Sequence, residues 1–234
     1  MRLRTNLALC LSVLALGACQ GTGGPGSATL DSDDQKASYG IGLNMGSQLG
    51  AAESHIDLDA LVAGLADGMA GNEPRIPQEE LQVLLQELSA TIQAEEAARM
   101  EAEASDNAAA GEAFLAENAS KDGVMVTESG LQYEVLRAGD GASPTAEDRV
   151  SIHYKGTLLD GTQFDSSYDR GEPAVFGVSG VIPGFSEGLQ LMSVGGQYRF
   201  FIPSDLAYGP QGSGATIGPN STLIFEVELL EVVE

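Results

Sequence analysis

Tryptophan is absent from the 234-residue chain, and only two Cys and two His occur in it. Cys10 and Cys19 sit near the N-terminus, and His55 and His153 are far apart. No set of metal ligands can be assembled from them, so no metal is expected. Positive charge is equally scarce. Eleven Lys and Arg stand against 34 Asp and Glu, for a net charge of -23. Such a surface repels nucleic acid and anionic head groups, and neither is expected as a partner. The apolar run Leu7–Leu16 is too short to remain in a bilayer as a spanning helix.

What the N-terminus does carry is a targeting signal. Arg2 and Arg4 precede the apolar run, and "LGAC" (Leu16–Cys19) ends it. Small residues before a Cys resemble the lipobox of a bacterial lipoprotein. That resemblance implies a signal peptide over 1–18, cleavage before Cys19 and lipid on Cys19; an ordinary secretory signal cut nearby is the alternative. Each buried methylene contributes about 0.8 kcal/mol, so several acyl chains on one Cys anchor a protein to the membrane. By analogy with lipoproteins, Gln20 after Cys19 favours the outer membrane, facing the periplasm or the cell surface. Residues 19–30, rich in Gly, read as a flexible tether.

Residues 31–76 read as helical. Asp31, Asp33 and Asp34 suit a helix start. Asp57 is a plausible N-cap for Leu58, Leu61, Val62, Leu65 and Met69, which recur at spacings of three and four, and Gly71 suits the stop. Residues 77–120 read as one long helix, roughly 65 Å if continuous. Its apolar stripe is clear at Leu81, Leu84, Leu85, Leu88 and Ile92, then thins into Ala and Glu. A half that is polar all round is expected to bridge separate bodies through solvent, with 102–110 either helical or disordered. Two short helices bury little surface alone, which predicts a homodimer through Ile41, Leu43, Met45, Leu58, Leu61, Leu65, Met69, Leu81, Leu84 and Leu88.

The period changes over 121–234. "GLQYEVLR", "RVSIHYKGTL", "GQYRFFIP" and "TLIFEVELLEV" alternate as strands do, with Gly and Pro between them. "IPGFSEGLQLM" alone is helical, with Ile182, Phe185, Leu189 and Met192 on one side. The expected fold is α+β: an all-helical N-terminal dimerisation module, a long connecting helix, and a C-terminal antiparallel sheet wrapped around one short helix.

The expected inward faces gather Tyr154, Phe164, Phe176, Val181, Ile182, Phe185, Tyr208, Ile217 and Phe225, either a plain core or an aromatic-walled pocket with few polar groups. "GTQFDSSYDRG" adds Asp165 and Arg170, a carboxylate and its natural ion-pair partner beside Phe164. Hydrolase readings fail. Ser179 in "GVSGV" lacks the G-x-S-x-G spacing, and the loop 212–218 lacks the Lys of a phosphate loop.

The stretches "HYKGTLLDGTQFDSSYDRGEP", "GVIPGFSEGLQLMSVGG", "IPSDLAYG" and "GPNSTLIFEVELL" resemble the FKBP-type peptidyl-prolyl cis–trans isomerases, over about Gly130 to Val232. "KASYGIGLNMGSQL", "IDLDALVAGLADGM" and "GEAFLAENA" are similar to the N-terminal module of the bacterial macrophage-infectivity-potentiator group. The resemblance implies catalytic roles for Asp165, Tyr208 and Phe164. It implies substrate binding by Tyr154, Arg170, Phe176, Val181, Ile182, Phe185, Ile217 and Phe225. Proline-containing polypeptides are the implied substrates, macrolides the implied inhibitors, and no cofactor is needed. The chain departs from the family at the pocket floor, where "PGF" with Phe185 stands for the usual "PGW". Two other readings stay open: a folding chaperone or binding lipoprotein with weak or no turnover, and a lipoprotein spacer or scaffold. A fragment beginning near Ser120 is expected to hold every pocket residue and to work alone.

Overall fold

A computed structural model describes residues 28–233 of the chain. The lipobox, Cys19 and most of the tether lie outside the described residues. The chain divides into two units between Arg75 and Ile76.

Among the described residues the first unit holds two α-helices with a short 3-10 turn (Gly50–His55) between them. Helix α1 (Asp33–Gln48) opens on a reciprocal cap. The Ser32 hydroxyl accepts from the Gln35 amide at 3.2 Å, and the Gln35 side chain accepts from the Ser32 amide at 2.9 Å. The cap is therefore Ser32, with Asp33 and Asp34 in the first turn, where the helix dipole favours them. Helix α2 (Leu58–Ala70) is capped by Asp57, which accepts from the Ala60 amide at 2.9 Å, and ends at Gly71 with φ 69°. Neither helix has a buried residue in this single chain, and Ile41, Leu43, Leu58, Val62, Leu65 and Met69 are exposed.

The second unit begins with helix α3 (Gln78–Asn118), 41 residues long and continuous through 102–110. Seven strands follow: β1 (Val124–Val126), β2 (Gln132–Arg137), β3 (Arg149–Thr157), β4 (Gln163–Ser166), β5 (Ala174–Gly177), β6 (Gln197–Ile202) and β7 (Leu223–Val233). The sheet runs β1-β2-β6-β7-β3-β4, every pairing antiparallel, with β5 also on β3. A short helix α4 (Ser167–Arg170) follows β4, and α5 (Pro183–Gln190) packs on one face of the sheet. On β3 the alternate residues Val150, Ile152 and Tyr154 turn inward, as period two requires. On α5, Phe185 and Leu189 are buried. Gly188 allows the close approach: a Cβ there would come 2.8 Å from the Phe200 ring.

The second half of α3 departs from the expected solvent bridge. Phe114 lies 5.8 Å, centroid to centroid, from Phe201. Asn118, 2% exposed, donates to the Gln132 side-chain oxygen at 3.0 Å, and the Gln132 amide donates to the Leu115 carbonyl at 2.8 Å. A Cβ on the buried Gly111 would meet the Thr222 hydroxyl at 2.4 Å. The helix thus covers the outer face of the sheet. This is why Phe200 and Phe201, consecutive on β6, are both buried: one faces α5 and the other α3. Residues 121–234 therefore do not contain the whole packed body, because the last turns of α3 are part of it.

Candidate functional site

A cavity of about 710 Å³ opens on the α5 face of the sheet. Strand β3 contributes Tyr154, β4 contributes Phe164 and Asp165, and β5 contributes Phe176. The segment entering α5 supplies Gly180, Val181 and Ile182, the helix supplies Phe185, and β7 supplies Phe225. Tyr208 and the loop Ser213–Ile217 complete the wall. All the sequence-predicted site residues meet here except Arg170, which stands behind the wall, and Cys19, which lies outside the described residues.

The floor is a set of edge-on rings. Phe185, 3% exposed, packs against Phe225 at 4.8 Å and 71° and against Tyr154 at 6.2 Å and 76°. Phe164 meets Phe225 at 5.4 Å and 82°. Such geometry sets the positive edge of one ring on the negative face of the next. Gly156 makes it possible: a Cβ there would lie 2.5 Å from the Phe164 ring and 2.9 Å from that of Phe225.

The polar corner is fully connected. The Tyr154 hydroxyl donates to Asp165 Oδ2 and accepts from Arg170 Nη2 at 2.9 Å. Arg170 Nη1 donates to Asp165 Oδ1 at 2.6 Å, and the Ser166 amide donates to the same oxygen at 2.8 Å. Burial alone would raise the Asp165 carboxyl, but the hydrogen bonds from Tyr154 and Arg170 and the Arg170 charge outweigh it. Its pKa lies below the usual carboxylate value. Burial raises the Tyr154 phenol, and its bond to Asp165 adds to the rise. The bonds to Tyr154 and Asp165 raise Arg170. The corner thus holds a carboxylate, a neutral phenol and a cation. By contrast, the Tyr208 hydroxyl makes no hydrogen bond among the described residues and lies at the mouth, 40% exposed.

Sequence reasoning missed Ser167. It is fully buried where β4 turns into α4, and its hydroxyl accepts from the Tyr154 amide at 2.9 Å and meets His153 Nδ1 at 3.0 Å. It completes the edge of β3 where β4 leaves it. Gly156 and the lining role of Ser213, Gly214 and Ala215 were also missed. A Gly facing two rings across a strand pair carries no local signal.

The wall holds no Cys, His or Lys, and its one carboxylate has both oxygens engaged. It suits selection of an apolar, cyclic or twisted group better than bond-making chemistry. Residues 141–230 match the family described as FKBP-type peptidyl-prolyl cis-trans isomerase. Residues 34–135 match the one described as Domain amino terminal to FKBP-type peptidyl-prolyl isomerase. The FKBP-type 22 kDa peptidyl-prolyl cis-trans isomerase of Escherichia coli (strain K12) is 49% identical over 88% of this chain and 98% of its own length. Outer membrane protein MIP of Legionella longbeachae is 43% identical over 88% of each chain. The crystal structure of FkpA from Escherichia coli, 40% identical, superposes with a TM-score of 0.67 and covers 87% of this chain and 98% of that one. With both halves matched in order and near-half identity sustained along most of a relative, this chain belongs to the FKBP-type peptidyl-prolyl cis-trans isomerases, and that isomerisation is its activity.

Proposed function

We propose that the pocket isomerises X–Pro bonds of proteins outside the cytoplasm and so assists their folding, with no covalent step. The observation that carries this reading is the aromatic wall around a cavity whose few polar groups are already paired or stand at the rim. Rotation about the amide must break resonance, a barrier of roughly 18–20 kcal/mol. Uncatalysed X–Pro exchange takes tens to hundreds of seconds. In the twisted state the carbonyl is less polar, so an apolar wall penalises it less than the planar state. The fit of the twisted chain adds differential binding.

In this reading Phe164 flanks the proline ring and Tyr208 donates its free hydroxyl to a substrate carbonyl. Asp165 acts by holding Tyr154 and Arg170. Its lowered pKa and filled lone pairs make it a poor base. Phe176, Val181, Ile182, Phe185, Ile217 and Phe225 receive the side chains, and a macrolide would occupy the same space. The test is turnover of a short proline peptide by the full chain and by Tyr208→Phe and Asp165→Ala. Slower isomerisation by both folded variants is expected; wild-type rates in both would remove these roles.

The exposed apolar faces of α1 and α2 favour a homodimer. The sequence around Cys19 favours a lipid-anchored envelope protein, and the outer-membrane name of a relative agrees with it. Acylation at Cys19, read by mass spectrometry of the protein from its membrane, tests the anchor. The Phe185 floor favours a second reading, a binding lipoprotein with weak turnover, which the same peptide assay separates.

A further inference from the structure

The loop that closes the pocket does not stand by itself. It leaves the Tyr208 segment at Gly209 and returns at Asn220, whose amide donates to the Gly209 carbonyl at 2.8 Å. Between these ends, Ser213 and Ile217 bridge each other by backbone bonds of 2.8 and 3.2 Å. Ser213–Ile217 line the cavity. The orientation of this whole wall is set at its two ends.

The returning end of the loop, at Pro219 and Asn220, is held by α3. Asn107 donates through Nδ2 to the Pro219 carbonyl at 2.9 Å. Asn220 donates through its own Nδ2 back to the Ala104 carbonyl at 3.2 Å. Asn220 has φ 54°, the only non-glycine residue at positive φ among the described residues. Asn tolerates that conformation better than most side chains, yet it still carries a cost. Gly218 lets the helix approach: a Cβ there would come 2.1 Å from Glu103 Oε1 and 3.2 Å from Asn107 Nδ2. Reciprocal amide bonds, a strained backbone and a close helix approach thus converge on one corner. None of these residues lines the cavity.

We propose that Asn107 and Asn220 are positioning residues for the isomerase: together they clamp the loop 209–220 to α3 and so fix Ile217 and Tyr208 against the substrate. The inference rests on the isomerase reading of the pocket. A loop freed from α3 keeps every wall residue but must be ordered again by each substrate, so binding weakens while the chemistry of the wall is unchanged.

The experiment compares the full chain with Asn107→Ala and Asn220→Gly on a short proline peptide. Asn107→Ala swaps a half-buried amide for a better helix former, so the fold is not at risk. Asn220→Gly keeps the left-handed backbone without strain and removes only the side-chain bond. Each is expected to raise KM and lower kcat/KM by roughly tenfold, within the scale of about 100-fold known for a displacement of about 1 Å, with kcat nearly unchanged. The melting temperature should move by only a few degrees. Wild-type kcat/KM in both variants overturns the clamp, and so does a lower melting temperature with kcat/KM unchanged. If Asn220→Gly melts early, Asn107→Ala alone decides. If the wild type shows no turnover, the isomerase reading fails instead. The clamp is then read from amide hydrogen exchange in 209–220, which Asn107→Ala must accelerate.

Discussion

Arg170 meets Asp165 at 2.6 Å, Nη1 to Oδ1, yet only the carboxylate faces the cavity. The guanidinium works from behind, holding Asp165 with one nitrogen and the Tyr154 hydroxyl with the other. Two protein groups are thereby presented to the pocket already satisfied. No hydrogen bond in the corner has to be broken when an apolar proline ring enters.

This arrangement has a pH signature. The Asp165 pKa is depressed in the fold, so the stability it contributes is complete above the unfolded value of about 3.9 and is lost as pH falls through the folded value. Turnover should therefore hold level from neutral pH down to about 5, with its acid limb below about 4. Arg170→Ala removes a hydrogen bond and a charge, raises the Asp165 pKa and shifts the acid limb to higher pH. The pair is part-exposed and screened, so the variant should lose little stability. A pH–rate profile with the same acid limb in both proteins would contradict this account.

Gly156→Ala should injure the pocket from beneath. The new methyl would meet the Phe164 and Phe225 rings, which are themselves packed edge-on and cannot both withdraw. Overpacking of this kind costs about 1–3 kcal/mol. Denaturant unfolding should register that loss, and turnover of a proline peptide should fall because Phe164 is displaced. Full activity at unchanged stability would mean that Phe164 moves freely.

Much of this was readable from the chain. The inward alternation of β3 and the spacing of Phe185 and Leu189 on α5 follow from local periodicity. Arg170 and Asp165 lie five residues apart around one turn, so their pairing was visible too. Tyr154 as their third member was not, because it depends on the register that sets Lys155 opposite Ser166. The packing of α3 was hidden for a related reason. Asn107, Gly111, Phe114 and Asn118 make too sparse a stripe to read as apolar, and Gln132 reads as an outward strand residue. Only the helix lying across the sheet gives these residues partners.

Phe185 is the floor of the pocket, and a larger ring is the family's usual choice there. Phe185→Trp should retain turnover and tighten binding of a macrolide such as rapamycin, measured by calorimetry, through added apolar contact. Phe185→Ala should cost about 3–5 kcal/mol, because it opens a void beneath Phe225, Tyr154 and Phe200. Unaltered macrolide affinity in Phe185→Trp would mean that the floor does not set it.

The first unit should be a dimer interface. Ile41 is 62% exposed and Met69 89% exposed in the single chain, an unusual outlay of apolar surface on two helices with no buried residue. Light scattering of the full chain should give twice the chain mass. The double variant Ile41→Asp and Met69→Asp should give the monomer, with turnover of a short peptide preserved. A monomeric wild type would remove the dimer.

The boundary of the catalytic body is the last test. A fragment beginning near Ser120 contains every residue of the cavity, but it removes Phe114, Leu115 and Asn118. Phe201 then loses its ring partner on the outer face. Gln132, 5% exposed, loses both the Asn118 amide and the Leu115 carbonyl. Removing the helix bares Gln132 to water together with Phe201, so stability is lost through the exposed apolar ring and the missing packing, while the Gln132 bonds are exchanged for bonds to water. A fragment beginning at residue 98 keeps these contacts and also the Asn107 and Ala104 bonds to the loop. The shorter fragment should melt lower than the longer one by roughly 5 °C or more. It should also turn over a proline peptide with a higher KM, since the loop that carries Ile217 has lost its support. Equal melting temperatures and equal kinetic constants would show that α3 is only a connector and that the sheet folds and works without it.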